Sequence, residues 1–461
     1  MADESSVRPD GPNILMVMSD QHRGDWLGCA GADWLRTPNI DRLAERGVHF
    51  RNAACNSPLC APSRASLASG LRCSNVGVLL NSHLYPLETP TYYQALRRAG
   101  YRVGCVGKTD LHKRDHWEGR NGDRPIMYHL GFTDPMETEG KCSASRYATK
   151  GVCPYTNYLK EKGLAKRFDD DYNRTRSSAW YSADSVLPLE AYHDYFVGIK
   201  GCEFLENVDD ESPWHYFVSY VGPHNPWDAP HEYSRRFDPK DMPVEKAIED
   251  DCSGKPEFVR NRHEKASRGL TAERLAGAWQ QYSAMINLID DFMGRFVEIL
   301  KDRGMLENTV IIYCSDHGEM MGDHGMFYKS VFYEGALRVP LVMAGPGIKA
   351  QGTSDALVEL ADMAPTILEL AGVPPEFPMD ARSAVPVLKG EEPKFRQRQI
   401  SEVGCSKMLF DGRYKYTDNS RDLDELYDLE NDPQELDNLA RTRKDKAYEL
   451  SRELHGALRA P

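Results

Sequence analysis

Four short apolar segments of the sequence end in the same way, because polar residues that can bind ligands follow each of them at once. The segments are Ile14–Met18, Tyr101–Val106, His215–Val221 and Thr309–Cys314. The residues beyond them are, in order, Asp20 and Gln21, Lys108, His224, and Asp316 and His317. Short apolar runs predict buried strands of a parallel sheet. Ligands of such α/β sheets bind beyond the carboxyl ends of the strands. The pattern therefore predicts an α/β fold with one shared site.

A second feature is the stretch Cys-Ala-Pro-Ser-Arg at residues 60–64, which precedes a run of small residues that suits a helix. Pro62 fits the first turn of a helix, and Ser63 and Ser66 can satisfy free backbone N–H groups there. Cys60 would then lie just before a helix N-terminus, where the helix dipole favours an anion. A lone cysteine before a helix is more often structural, so its importance depends on the five-residue pattern.

Composition limits the classes of function. A chain of 461 residues is long enough for two or three domains. Its net charge of −13 argues against nucleic-acid binding and means that an anionic substrate needs a local cationic pocket. No apolar run approaches the roughly 20 residues of a membrane span. The start of the chain shows no secretory signal, so we expect a cytoplasmic protein, or a periplasmic or secreted one if a signal has been removed. The odd, scattered set of cysteines favours reduced thiols.

Periodicity predicts most of the remaining elements. The predicted helices are Asn39–Phe50, Thr91–Ala99, Leu189–Val208, one long helix within 270–304, and Ala361–Ala371, and a further strand is predicted at Val339–Met343. Residues 114–185 and 232–268 lack a clear period and are predicted to be irregular, and the first of these could wall a substrate pocket. Trp117, Trp180, Trp227 and Asp228 could line that pocket, although we expect the tryptophans in the core.

The last part of the chain, from about residue 375, is shorter than the part before it and more polar. A hairpin is predicted over Asp411–Tyr416. We therefore predict a catalytic α/β domain over residues 1–374 and a smaller C-terminal subdomain over residues 375–461 with a short antiparallel sheet.

The acidic strand ends have the chemistry of a metal site. Carboxylate and amide oxygens of Asp20, Gln21 and Asp316 suit Ca²⁺ or Mg²⁺. The imidazole of His317 keeps Mn²⁺ possible, whereas no spacing typical of zinc occurs. Either pair of neighbours alone could equally be a turn with a helix cap.

Cationic and hydrogen-bonding groups accompany these acids. Arg64, Lys108, His224 and Lys329 could together neutralise a tetrahedral dianion and its leaving oxygen. Taken singly, each lysine is more simply explained as a solvated surface charge.

The sequence resembles the sulfatase family, within the alkaline-phosphatase-like superfamily, over nearly its whole length. The matching segments are Pro12–Ile14, Ser19–Gln21, Thr37–Asp41, Cys60–Arg64, Gly100–Tyr101, Gly107–Lys108, Pro223–Pro226, Ser315–Glu319, Lys329 and Glu425–Pro433. The resemblance implies a large, mostly parallel sheet flanked by helices. It also implies hydrolysis of a sulfate monoester to an alcohol and inorganic sulfate.

In this family the signature cysteine is oxidised to formylglycine, so the resemblance implies that a formylglycine-generating maturation enzyme modifies Cys60. The hydrate of the formylglycine aldehyde would bind a metal, usually calcium, and one of its hydroxyl groups would attack the sulfur atom of the sulfate ester. The implied metal ligands are Asp20, Gln21, modified Cys60, Asp316 and His317.

The resemblance also implies roles for the cationic residues. Arg64 would hold the hydrate and Lys108 would bind sulfate oxygens. His224 or Lys329 would protonate or stabilise the leaving alcohol.

The residue pairs at the metal differ from those of many members, which have Asp-Asp and Asp-Asn. The pairs here, Asp20-Gln21 and Asp316-His317, are more similar to choline-sulfatase and phosphonate-monoester-hydrolase relatives. A phosphonate or phosphate monoester hydrolase is therefore the alternative function, and an inert binding protein is a third. Sugar sulfates, choline sulfate and aryl sulfates all remain possible substrates.

A second departure follows Lys108. The family often has histidine two residues later, where this chain has Asp110, and His112 lies two residues further on. A histidine titrates near neutral pH, and an unpaired Asp110 would repel a sulfate dianion. We therefore assign proton transfer to His112, with Asp110 as the alternative. A third possibility is that His112 faces solvent and that neither residue takes part.

Overall fold

The computed structural model describes residues 11–113, 117–171, 178–209 and 211–459. Its strands are β1 (Asn13–Asp20), β2 (Val48–Phe50), β3 (Ala53–Ala54), β4 (Arg102–Gly107), β5 (Asp134–Glu137), β6 (Trp214–Pro223), β7 (Thr309–Ser315), β8 (Leu341–Ala344), β9 (Gly352–Ser354), β10 (Val358–Glu359), β11 (Gln399–Val403), β12 (Ser406–Phe410), β13 (Tyr414–Asp418) and β14 (Glu425–Asp428).

The α-helices of the described residues are α1 (Pro38–Arg46), α2 (Cys60–Ser69), α3 (Cys73–Val76), α4 (Tyr92–Arg98), α5 (Pro125–His129), α6 (Lys141–Arg146), α7 (Pro154–Glu161), α8 (Ala165–Asp171), α9 (His193–Asn207), α10 (His231–Ser234), α11 (Glu257–Ser267), α12 (Ala272–Asp302), α13 (Glu334–Leu337), α14 (Met363–Leu370), α15 (Val385–Leu388) and α16 (Lys444–Arg459). None of these is long and apolar enough to cross a membrane.

The main sheet has eight strands in the order β5-β4-β6-β1-β7-β8-β2-β9. The four strands whose polar ends the sequence singled out are neighbours in this order, and they pair in parallel. Parallel neighbours end at the same edge of the sheet. The prediction of an α/β fold with one shared edge is therefore confirmed.

The central strand β1 is buried along its whole length because helices cover both faces of the sheet. Its side chains alternate between two apolar clusters, with Leu15 and Val17 in one and Ile14 and Met16 in the other. On the first face, α12 packs against α9 through Phe292, which lies over Gly198. A Cβ atom at Gly198 would lie 2.5 Å from that ring, so the glycine permits the close approach of the two helices.

Three predictions of local structure are wrong. The helix predicted over 39–50 ends at Arg46, and residues 48–50 form β2 at the sheet. The break falls at Gly47, where a Cβ atom would lie 1.9 Å from the carbonyl oxygen of Met343. Residues 114–185 contain β5 and α5–α8, and residues 232–268 contain α11. These helices are short and give too few turns for a detectable period. Residues 114–116 and 172–177 lie outside the described part.

The C-terminal part forms a separate antiparallel sheet in the order β11-β12-β13-β14, as predicted. The hairpin predicted over residues 411–416 joins β12 to β13. Its turn is fixed by Asp411, whose carboxylate accepts hydrogen bonds from the backbone N–H groups of Arg413 at 2.9 Å and Tyr414 at 2.6 Å. The division at residue 374 stays a prediction.

The tryptophans do not behave alike. Trp227 is buried in the core, as expected, and Trp180 is half-buried against it. Trp117 is 51% exposed, so its assignment to the core is wrong. All of the cysteines have free thiols, in agreement with the prediction.

Candidate active site

The signature stretch forms the first turn of α2, as the sequence predicts. Leu59 is extended, and its carbonyl oxygen accepts the N–H of Ser63 at 3.1 Å. The helix begins at Cys60, which is buried, and ends at Gly70 with a left-handed φ of 68°. The reactive position is thereby fixed at a helix N-terminus that points at the carboxyl edge of the sheet.

The acidic residues predicted at two strand ends converge on Cys60. One ligand atom each from Asp20, Cys60, Asp316 and His317 lies within 4.8 Å of the others. Cys60 Sγ is 3.1 Å from His317 Nε2 and 3.7 Å from the Asp20 carboxylate. The Nδ1 of His317 donates to the carbonyl oxygen of Gly318 at 2.9 Å, which leaves Nε2 as the free lone pair that faces the cluster.

Gln21, the other predicted metal ligand, borders this cluster in a left-handed conformation with φ 69°. Its backbone N–H donates to Asp316 Oδ1 at 3.0 Å. Its side-chain oxygen accepts from Lys329, and its side-chain nitrogen donates to Glu319. Glu319 is fully buried and orients the amide of Gln21. Glu319 belongs to the Ser315–Glu319 motif, but the motif alone does not indicate this contact with Gln21.

Arg64 joins α2 to β6 and to the residues that follow β4 and β7. Its Nε donates to Asp316 Oδ2 at 2.7 Å, and a terminal nitrogen donates to Ser219 Oγ at 2.8 Å and to the carbonyl oxygen of Lys108. The guanidinium therefore lies beneath the cluster and positions the residues around Cys60. Ser219, within β6, is a contact that the sequence pattern did not indicate.

Two lysines approach the cluster, Lys108 from the end of β4 and Lys329 from the loop that precedes α13. Lys329 Nζ is 3.2 Å from Cys60 Sγ. Lys108 Nζ forms an ion pair with Asp20 and lies 3.1 Å from the Asp110 carboxylate. Both lysines are nearly buried, so neither is the solvated surface charge that would have been the simpler explanation of a single lysine.

The electrostatics of the cluster follow from these contacts. Burial raises the pKa of Asp20, but Lys108 and Lys329 outweigh burial and hold it well below its usual range. Burial and Asp20 also raise the pKa of the Cys60 thiol, yet Lys108, Lys329 and His317 lower it to about 7. The site therefore favours anionic groups at the position of the Cys60 side chain.

His224 is half-buried beyond β6, and its Nδ1 lies 2.6 Å from the carbonyl oxygen of Asn225, to which it donates. Burial and the charge of Lys329 lower the pKa of His224 well below its usual value. The imidazole is therefore neutral, and its Nε2 carries no proton.

The segment after Lys108 corrects one premise of the sequence analysis. Asp110 is buried and paired with Lys108 at 3.1 Å and with Lys113 at 2.5 Å, so it is not the unpaired acid that was assumed. Burial raises the pKa of Asp110, but the two lysines outweigh burial and lower it. Lys113 was missed, because only contact geometry reveals its pairing. His112 is half-buried, and its carbonyl oxygen accepts from Arg124 at 2.9 Å. The assignment of proton transfer to His112 stays a prediction.

Comparisons with known proteins agree with this geometry. The sequence model of the sulfatase family matches residues 12–373, and that of the N-sulphoglucosamine sulphohydrolase C-terminal region matches residues 322–460. The chain is 32% identical to the choline-sulfatase of Rhizobium meliloti, over 93% of this chain and 82% of that protein. It is 30% identical to an arylsulfatase of Clostridium perfringens, over 94% and 91% of the two chains. A phosphonate monoester hydrolase of Agrobacterium radiobacter superimposes with a TM-score of 0.82 at 25% identity, over 97% of this chain and 95% of that one.

The fold and the site define a hydrolytic enzyme with the alkaline-phosphatase-like α/β fold. The chain belongs to the sulfatase family, and its enzyme class is that of the sulfuric ester hydrolases. The predicted resemblance to this family, including its choline-sulfatase and phosphonate-hydrolase relatives, is therefore confirmed.

The charge distribution around Cys60 predicts its reactivity in protein that keeps the thiol. With a chelator present, alkylation of Cys60 by iodoacetamide should rise with pH through a half-point near 7 instead of near 9, since the thiolate forms above the pKa. Lys329→Met should move the half-point upward because a cation is removed. Lys246→Met, whose ion pair is with Asp33, is the control and should leave it unchanged. A half-point near 9 in the unsubstituted protein would contradict the assignment.

Proposed function

We propose that this sulfatase cleaves its ester with a formylglycine made from Cys60 and with one divalent metal beside it. The observation that carries the proposal is the convergence at Cys60 of Asp20, Asp316 and His317, with Lys329 at 3.2 Å from the sulfur. The Sγ atom of Cys60 occupies the place that the aldehyde oxygen of formylglycine would take. When present, formylglycine supplies a hydrated aldehyde as the nucleophile.

The donor set fits a hard cation. Two buried carboxylates, a free imidazole lone pair on His317 and the amide oxygen of Gln21 supply four candidate ligand atoms. Oxygen-rich sets of this kind suit Ca²⁺, and also Mg²⁺ or Mn²⁺. Such an ion supplies Lewis-acid stabilisation of developing negative charge. Arg64 and Glu319 would orient these ligands from behind.

The cations would bind the sulfate group. A sulfate monoester is an anion, and the ammonium group of Lys329 lies 3.2 Å from Cys60 Sγ, while that of Lys108 pairs with the neighbouring Asp20. Because both groups are fixed and nearly buried, they would stabilise charge on the sulfate oxygens without reorganising.

Proton transfer to the leaving alcohol falls to Lys329. His224 shares the neighbourhood, but its proton is committed to the carbonyl oxygen of Asn225 and its pKa is lowered by burial. His224 therefore has no proton to give to the leaving oxygen, and Lys329 is the donor.

His112 is assigned as the acceptor of the proton from the attacking hydroxyl, but the reason differs from the one given by the sequence. The ion pairs of Asp110 lower its pKa, which makes this carboxylate a weak base at neutral pH. A histidine is matched to that pH.

A phosphonate or phosphate monoester hydrolase is the second candidate. The similarity to the phosphonate monoester hydrolase of Agrobacterium radiobacter supports it, as do the Asp-Gln and Asp-His pairs at the metal position. The two ester classes place the same tetrahedral group on the same scaffold.

The proposal is tested on one batch of purified enzyme. A peptide that spans Cys60 should carry an aldehyde and resist thiol reagents, since a maturation enzyme has oxidised it. The same batch should hydrolyse 4-nitrophenyl sulfate at least about tenfold more efficiently than a 4-nitrophenyl phosphonate, by kcat/KM, if the site discriminates between the two transition states. Full activity with an unmodified thiol would refute the nucleophile, and the reverse preference would favour the second candidate.

Metal binding makes a separate prediction. Asp316→Asn keeps the size of the side chain but removes its charge, so the variant should lose most of its bound divalent metal, measured by elemental mass spectrometry. Turnover of 4-nitrophenyl sulfate should fall at least about a hundredfold, because changes behind a metal ligand alone cost about 10- to 100-fold. Asp33→Asn, an exposed aspartate, is the matched control and should retain both. A metal-free variant with normal turnover would rule out the metal site.

The proton acceptor can be decided by paired substitutions. His112→Ala should lower kcat by roughly a hundredfold or more, the loss typical of a missing general base, and should flatten the pH profile near neutrality. Asp110→Asn should cost less in kcat and act mainly through the two lysines that it pairs. Normal turnover by His112→Ala together with collapse of Asp110→Asn would transfer the role to Asp110.

A further inference from the structure

Glu319 contacts more of the active site than Gln21 alone. Its Oε2 accepts from the side-chain nitrogen of Gln21, and its Oε1 accepts from the backbone N–H groups of Met321 at 3.1 Å and of Tyr328. Tyr328 directly precedes Lys329, the proposed proton donor. All three partners are donors, so both carboxylate oxygens serve as acceptors. Glu319 is 0% exposed, and these contacts replace the water that a buried carboxylate has lost.

The turn that carries Lys329 has an unfavourable backbone conformation. Tyr328 has φ 71° and Ser330 has φ 69°, so the residues on both sides of the lysine are in the left-handed region without being glycine. Two more non-glycine residues of the same loop, Met321 and His324, have φ values of 45° and 52°. Residues in this region persist only where the surrounding contacts over-determine them. The position of Lys329 therefore depends on the contacts that hold the turn.

Two of these contacts support the turn from neighbouring segments. The carbonyl oxygen of Lys329 accepts from the guanidinium of Arg262 on α11. The Ser330 N–H donates to the carbonyl oxygen of Pro58 at 2.9 Å, which joins the turn to the segment before α2. The third contact comes from the buried carboxylate, which holds the residue before the lysine. The turn is thereby fixed at each of its three residues.

The same carboxylate also acts on the far end of the lysine side chain. Glu319 binds the nitrogen of the Gln21 amide, which leaves the amide oxygen to accept from the ammonium group of Lys329. The ammonium nitrogen lies 3.2 Å from Cys60 Sγ. Lys329 is thus held at its backbone through Tyr328 and at its ammonium group through Gln21. A proton donor needs such placement because it must lie within hydrogen-bond reach of the leaving oxygen.

We propose that Glu319 is the positioning residue of the proton donor Lys329, which it holds at the backbone and at the ammonium group. As the S–O bond of the ester breaks, its electron pair passes to the leaving oxygen, which takes a proton from the ammonium group; water later returns a proton to the lysine. A misplaced ammonium group slows this step most for a strongly basic leaving group, because such a group depends most on protonation. The inference rests on the proposed function, which assigns the proton to Lys329.

The test compares two aryl sulfates on enzyme whose Cys60 is modified and that is supplied with excess Ca²⁺. The leaving group of 4-nitrophenyl sulfate needs little protonation, and that of 4-methoxyphenyl sulfate is more basic. Glu319→Gln keeps the size of the side chain but offers one acceptor oxygen in place of two, so it loses either the turn or Gln21. Each loss frees one end of Lys329. We expect kcat/KM to fall at least about tenfold more for the methoxy ester than for the nitro ester, since a general acid contributes roughly 100- to 10,000-fold.

Further variants calibrate this result. Lys329→Met removes the donor itself and should show the same selective loss to a larger extent. Glu319→Asp keeps both acceptor oxygens on a shorter side chain and should show a smaller loss in the same direction. Glu402→Gln is the matched control, because this buried glutamate on β11 also accepts a backbone N–H, from Ser74 at 3.0 Å, and it should leave the ratio of the two esters unchanged. Thermal unfolding shows whether each variant is folded.

The outcomes separate the inference from the proposed function. If Lys329→Met changes the ratio of the two esters but neither Glu319 variant changes it beyond about twofold, the inference is refuted and the proposed function stands. If Glu319→Gln slows both esters equally and loses its metal, measured by elemental mass spectrometry, the residue acts on Gln21 alone and the inference is again refuted. If Lys329→Met leaves the ratio unchanged, the proposed role of Lys329 fails, and the inference fails with it.

Discussion

The buried ion pair between Arg64 and Asp316 holds the active site together. Its nitrogen and oxygen are 2.7 Å apart, and the two side chains are 2% and 0% exposed. The same guanidinium reaches Ser219 on β6 and the carbonyl oxygen of Lys108 beyond β4. Removal of either partner of such a pair costs about 3–5 kcal/mol, because a buried charge is left alone. The helix that presents Cys60 therefore cannot shift relative to the strands that present the acids.

The other charges of the site follow from this arrangement. Asp20 and Asp316 are buried and close together, so each needs a cation, and Lys108 and Arg64 provide them. The lysines that neutralise the acids also border the position of the ester. Asp110 completes the pattern because its carboxylate lies between Lys108 and Lys113 and pairs with both. A site assembled in this way is organised for an anion before one arrives, which is the condition for strong electrostatic stabilisation.

The sequence predicted the residues of the active site better than it predicted the contacts that hold them in position. The strand ends and the signature are local patterns, so Asp20, Lys108 and Asp316 could be placed at one edge because the carboxyl ends of parallel strands meet there. Contacts between distant segments have no local signal: Glu319 bonds to Gln21 across 298 positions, and Asp110 was judged without its lysine partners. The wrong end of the helix predicted over residues 39–50 has the same origin. Gly47 is required there because the backbone of Met343, on the distant strand β8, lies too close for a side chain.

The C-terminal sheet is bonded to the catalytic layer close to the active site. Lys415 on β13 is buried and pairs with Glu334 at 2.8 Å and with Glu435 at 2.5 Å. Lys255 lies over the rings of Tyr333 and Tyr427, at 4.6 and 4.7 Å from their centroids. These contacts fix the segment that follows Lys329, and the matches of the two family models overlap over residues 322–373. Buried ion pairs tolerate little displacement, because separating them exposes each charge to a medium that solvates it poorly. The C-terminal sheet therefore also helps to set the position of Lys329, the group proposed to protonate the leaving alcohol.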